Sequence, residues 1–133
     1  MKKLFLLPFL LTVSACVDPN TIEVTTTPTN DQRHVKAVQS LVADKMRDPE
    51  ATRFKDDAVI YQTSAGDIIV CGTVNAKNAM GGYVGYKQYY ARLRGNTLVS
   101  FHVPSEGDDA GIGMKWVTTA CTQAASGKMK VSS

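Results

Sequence analysis

Few residues in this 133-residue chain are equipped for covalent or metal chemistry: three cysteines and two histidines. Cys16, Cys71 and Cys121 contain no Cys-x-x-Cys pair, and His34 and His102 form no helical histidine pair. The ligand spacing of a zinc site is therefore lacking, and neither a metal nor a cofactor is implied. No P-loop, serine-triad signature or paired-carboxylate pattern is found. Glu106, Asp108 and Asp109 crowd a glycine-rich stretch, 104–113, which reads as a solvated acidic loop in preference to a cation site. A cysteine nucleophile needs a neighbouring base. Only His102, approaching Cys71 across a sheet, would supply one, and a lone strand histidine is more simply structural.

The densest cluster of polar and aromatic groups is residues 71–86, C-G-T-V-N-A-K-N-A-M-G-G-Y-V-G-Y. Asn75 and Asn78 can bond nearby backbone and tolerate left-handed conformations, while Gly81 and Gly82 supply positive φ. One reading is thus a demanding turn. The other is a recognition loop, in which Asn75, Lys77 and Asn78 join Tyr83 and Tyr86, with Lys87, Arg92 or Arg94 nearby, to offer amides, cations and aromatic faces to a glycan or peptide. Tyr89 and Tyr90 are strand neighbours and point to opposite faces, so some of the tyrosines belong to the core.

The first fifteen residues have the layout of a secretory signal: Lys2 and Lys3, an apolar run over 4–13, then Ser14 and Ala15. A spanning helix needs roughly 20 apolar residues, so this run is too short for a permanent anchor. Val13-Ser14-Ala15-Cys16 resembles the lipobox of bacterial lipoproteins. That resemblance implies cleavage before Cys16, diacylglycerol on its sulfur and acylation of the new amino group. Each buried methylene contributes about 0.8 kcal/mol, and two or three chains make a stable anchor where one does not. In enterobacterial lipoproteins an aspartate after the lipid-bearing cysteine favours inner-membrane retention; Val17 implies the periplasmic face of the outer membrane. Removing residues 1–15 leaves 13 basic against 12 acidic residues, which gives no electrostatic case for nucleic-acid binding.

With Cys16 assigned to lipid, Cys71 and Cys121 remain, and an oxidising envelope points to a disulfide between them, with buried free thiols as the alternative. Residues 17–30, rich in Thr and Pro, have no period that would bury a face and read as a flexible tether. Asn30 or Asp31 can cap a helix over 31–46, with Val35, Val38, Leu41, Val42 and Met46 on one side and Asp48-Pro49 ending it. Strands are expected over 58–63, 68–75, 83–93 and 97–103, the second apolar on both faces and hence central. A second helix over 114–125 is expected to bury Ile112, Trp116, Val117, Ala120, Cys121 and Ala124, with 128–133 as a polar tail. The expected fold is α+β over 31–127: an N-terminal helix, a four-stranded antiparallel meander and a C-terminal helix, both helices on one sheet face.

The 71–86 block resembles a motif, C-G-x-V-N-A-K-N-x-x-G-G-Y-x-G-[FY], of small, mostly uncharacterised exported proteins of Gram-negative bacteria. Residues 48–54, D-P-E-A-T-R-F, resemble the D-P-x-[SA]-x-x-F element that precedes it there. The resemblance implies a shared domain and carries over no catalytic residue. Together these features lead us to expect a lipid-anchored, non-enzymatic binding or adaptor module, held to the membrane through Cys16 and acting on an envelope protein or on peptidoglycan. The alternatives are a structural subunit of an envelope secretion or assembly complex and a small envelope enzyme.

Overall fold

The computed structural model describes residues 19–104 and 111–133. The signal segment 1–15, Cys16 with Val17, and the 106–109 carboxylates lie outside the described residues. In chain order the elements are β1 (Thr21–Thr29), α1 (Gln32–Ala43), β2 (Arg53–Phe54), β3 (Val59–Thr63), β4 (Ile68–Asn75), β5 (Lys87–Arg94), β6 (Thr97–His102), α2 (Ile112–Ser126) and β7 (Lys128–Ser132). The strands form one curled antiparallel sheet ordered β6-β5-β4-β3-β1-β7, and β2 pairs with β4 beyond the end of β3. The class is α+β with two helices. The expected four-stranded meander behind an N-terminal helix is not matched, because the sheet is larger and a strand precedes the helix.

The segments expected as a flexible tether and as a polar tail are both strands. The tether expected over 17–30 contains β1, which pairs with β7 through Thr21–Thr25 and with β3 through Thr26–Thr29. Its threonines are β-branched and suit a pleated surface. Thr26 is buried without cost to its polarity, since its hydroxyl donates to the Ala124 carbonyl at 2.6 Å. Pro28 falls where β1 has one neighbouring strand, the place a sheet tolerates proline. The expected polar tail is β7, where Met129 and Val131 turn inward between exposed Lys128, Lys130 and Ser132. Gly127, at φ +90°, ends α2 in a left-handed cap and lets the chain reverse into β7.

The helices lie on opposite faces of the sheet, not on one. On the first face, α1 packs Val35, Val38 and Val42 against Ile60, Ile68, Val70, Val74, Tyr89, Ala91 and Leu93. On the second, Val117, Ala120, Cys121 and Ala124 of α2 meet Tyr61, Ile69, Cys71 and Tyr90, with Val24, Met129 and Val131 closing over them. Strand β4 is apolar on both sides, and β5 adds Tyr89, Ala91 and Leu93 to one face and Tyr90 to the other, so both faces require cover. Asp31 caps α1, its carboxylate accepting the Arg33 N–H at 3.1 Å. The Arg33 guanidinium on the same carboxylate lowers the Asp31 pKa to about 2. The expected stripe of α2 is narrower than predicted: Ile112 is 89% exposed and Trp116 46%. Among the described residues no helix is long and apolar enough to cross a membrane.

Cys71 in β4 and Cys121 in α2 lie with their sulfurs at bonding distance, 2.09 Å, and their Cα atoms 6.0 Å apart. This pair staples α2 to the middle of the sheet. A Cys71–His102 dyad is thereby ruled out, since the Cys71 sulfur is engaged and β5 runs between the two residues, Tyr90 pairing with both. The His102 ring instead lies tilted against Trp116, 5.6 Å between centroids.

Candidate functional site

The corner between β4 and β5 is built from its own amides. Asn78 accepts the N–H groups of Met80 and Gly82 on its Oδ1, each at 3.0 Å, while its backbone N–H donates to the Gly82 carbonyl at 2.8 Å. Asn75 Oδ1 takes the Gly85 N–H at 3.1 Å. Lys77 and Tyr83 form an isolated bridge below the tip, and Gly81 and Gly85 adopt φ of +79° and +95°, values an L side chain rarely holds. Asn75 and Asn78 therefore shape the corner rather than offering their side-chain oxygens to a ligand.

The segment 48–54 lies beneath this corner and braces it. Arg53 pairs with Asn75 and Phe54 with Val74 in register. Asp48 folds its own loop by accepting the Ala51 N–H at 3.2 Å and the Thr52 hydroxyl on its carbonyl at 2.9 Å. Its second carboxylate oxygen meets Lys77 Nζ at 3.5 Å. The Tyr83 hydroxyl donates to the Ala51 carbonyl at 2.9 Å. Phe54 completes the brace from inside, edge-on to the buried ring of Tyr89 at 5.5 Å. Past Phe54 the Lys55 N–H still donates to the Thr73 carbonyl at 3.0 Å, and the Asp57 carboxylate accepts the N–H and hydroxyl of Thr73.

What the corner leaves outward is a small set of side chains. Met80, at the tip, is 94% exposed, Tyr86 46% and Tyr83 38%. Arg53 lies over the Tyr83 ring at 4.7 Å and Lys55 over the Tyr86 ring at 4.7 Å. Such stacking holds long cations in place over aromatic faces. Of the five expected recognition residues, the structure thus brings together all of Asn75, Lys77, Asn78, Tyr83 and Tyr86, and turns only the tyrosines clearly outward. Met80, Arg53 and Lys55 were not anticipated. Methionine beside a double glycine was the available signal for the first. An open groove of about 660 Å³ runs alongside, between the corner and the end of α1, lined by Asp44, Arg47, Glu50, Lys77 and Asn78 among others.

No family model, curated protein or solved structure matches this chain.

The opposite end of the sheet is tied down by charge. Asp67, 1% exposed, accepts Arg94 Nε on Oδ1 at 3.0 Å and Arg94 Nη2 on Oδ2 at 3.1 Å, and the same Oδ2 lies 3.3 Å from Arg92 Nη1. The bonded Asp67 carboxylate raises the Arg94 pKa. Arg92 reaches on to the Ser132 carbonyl at 3.0 Å and hydroxyl at 2.7 Å, drawing the tip of β7 back toward β5. Ser132 pairs with Thr21, so the start of β1 is held at the same place. Arg92 sits opposite Ile69, six residues of β4 from Asn75. At the usual strand rise that is about 20 Å. The start of β1 and the corner are therefore well separated along the sheet. Among the described residues no group of three or more His, Cys, Asp or Glu is placed to hold a metal ion.

Proposed function

We propose that this protein is a lipid-anchored envelope lipoprotein, and that it acts as a non-enzymatic adaptor whose Asn75–Tyr86 corner docks a second envelope protein. The observation that carries this reading is the braced corner with Met80 almost wholly in solvent at its tip. An exposed methionine costs apolar hydration, and here it stands on a turn stiffened by side-chain hydrogen bonds. Met, Tyr and Arg are the residue types enriched where proteins bind one another. Arg53 and Lys55, fixed over their tyrosine rings, suit a partner that borders an apolar hollow with carboxylates. The separation of about 20 Å between the β1 end and the corner also fits an adaptor, since it keeps the docking face away from the anchor.

Two measurements test the proposal. Labelled palmitate should enter the wild-type protein and fail to enter Cys16→Ala; equal labelling removes the anchor. Met80→Ala, Tyr86→Ala and Lys55→Ala change exposed side chains and should each alter stability by no more than about 0.5 kcal/mol. Each should nonetheless weaken partner capture by about 1–2 kcal/mol, roughly five- to thirtyfold. Undiminished capture by the triple variant contradicts the docking role. Capture of glycan strands in place of a protein would assign the corner to peptidoglycan.

A further inference from the structure

With β1 folded, little chain remains between the lipid and the domain. Asn20 is already pinned, its carbonyl accepting the Ser133 N–H at 2.9 Å and the Ser133 hydroxyl at 3.3 Å. Cys16 is four residues before Asn20, a span of about 14 Å at full extension, where a free tether over 17–30 would have reached about 45 Å. The headgroup layer of one leaflet is itself roughly 5–7 Å deep. A domain held at Asn20 by lipid on Cys16 sits on the bilayer surface and does not float above it.

The surface beside that point is unusual. Thr21 lines an open slot of about 360 Å³ together with Arg92, Ser100, Trp116, Lys130 and Ser132. Trp116 is the one tryptophan of the chain. Its ring is held by Tyr90, edge-on at 5.2 Å, and by His102, yet it stays 46% exposed. One turn earlier on the same side of α2, Ile112 is 89% exposed, and Ile22 at the start of β1 is 40% exposed. Lys115 and Lys130, both exposed, flank this apolar surface. An amphipathic indole with nearby aliphatics and lysines matches the chemistry of the headgroup layer, where Trp is enriched and cations meet lipid phosphates.

We infer that the Ile22, Ile112 and Trp116 surface rests on the phospholipid headgroups, with the Trp116 indole in the interface. This orientation depends on the lipid attachment proposed above. It adds that the domain stands on the membrane by a fixed face.

The single tryptophan makes the test direct. Full-length protein is placed in vesicles of phosphatidylethanolamine and phosphatidylglycerol, and Trp116 emission is recorded with nitroxide lipids or with aqueous iodide. Strong quenching by a nitroxide near the headgroup, weaker quenching by one near the chain terminus and little quenching by iodide are expected. Ile112→Asp, on a side chain that packs against nothing in the core, should shift the emission to the red and restore iodide quenching. Strong iodide quenching with none from nitroxide, in protein whose mass shows lipid on Cys16, overturns the docking and leaves the anchor intact. Protection from both quenchers overturns it in favour of a protein covering this face. A mass showing no lipid on Cys16 overturns the anchor and the orientation together.

Discussion

Replacing both Cys71 and Cys121 with alanine removes the staple without leaving a reactive thiol behind. The two residues are 50 positions apart, and the loop they close loses conformational freedom in the unfolded chain. The chain-entropy relation gives about 4 kcal/mol for a loop of that length. Both side chains are buried in the α2 face, at 6% and 7% exposure, so some packing is lost as well. For a domain of about 100 residues each kilocalorie shifts the melting temperature by about 4–8 °C, which makes the expected fall roughly 15–30 °C. Thermal unfolding followed by circular dichroism measures it. Reduced wild-type protein should melt with the variant, because both lack the same constraint. Trp116 lies on the helix that the bond holds, so its emission should change with the same midpoint. A double variant within about 3 °C of oxidised wild type would refute the reasoning, since less than one kilocalorie could then come from the cross-link. Recovery of both cysteines as alkylated thiols from freshly isolated envelopes would refute the bond itself.

Further outcomes follow from single contacts. A Cβ at Gly72 would come within 2.9 Å of the Tyr89 ring, which is fully buried and cannot retreat, so Gly72→Ala should cost about 1–3 kcal/mol in denaturant titrations. Asp67→Ala strips the counter-charge from Arg92, itself 2% exposed, and should cost about 3–5 kcal/mol; a change under about 1 kcal/mol would show that Arg92 escapes to water. Burial is the main cause that pushes the Tyr89 and Tyr90 hydroxyls up to about 12, from an ordinary 10.0. Both stay protonated in the fold while the unfolded chain ionises. The contribution of these two tyrosines to stability should therefore be level below pH 10 and be lost as pH rises toward about 12, with a late tyrosinate absorbance step.

Much of the centre of this fold is legible in the sequence. The α1 stripe of Val35, Val38 and Val42, the Asp31 cap and the double-sided β4 follow from periodicity and local chemistry alone. The Cys71–Cys121 pair follows from the cysteine count under the expectation of an oxidising envelope and of lipid on Cys16. What escapes is pairing that carries little hydrophobic signal. In β1 only Ile22 and Val24 are strongly apolar, and Thr26 is buried because its hydroxyl finds Ala124, a partner 98 residues away. The alternation in β7 is correct for a strand but spans five residues, too few to stand out. At the corner, residue types were legible and their roles were not. Asn75 and Asn78 bond their own turn, a use local sequence permits equally well. The outward set depends on β2 pairing with β4, which carries Arg53 and Lys55 under Tyr83 and Tyr86.

The adaptor role is tested most directly by a photo-crosslinking side chain at position 80, activated in living cells, with a second one at the exposed Lys36 of α1 as reference. The account predicts that position 80 captures one envelope protein in discrete yield, that Lys55→Ala and Tyr86→Ala diminish it, and that position 36 does not capture it. The same species from both positions, or none from position 80, would contradict the claim that this corner is the docking face.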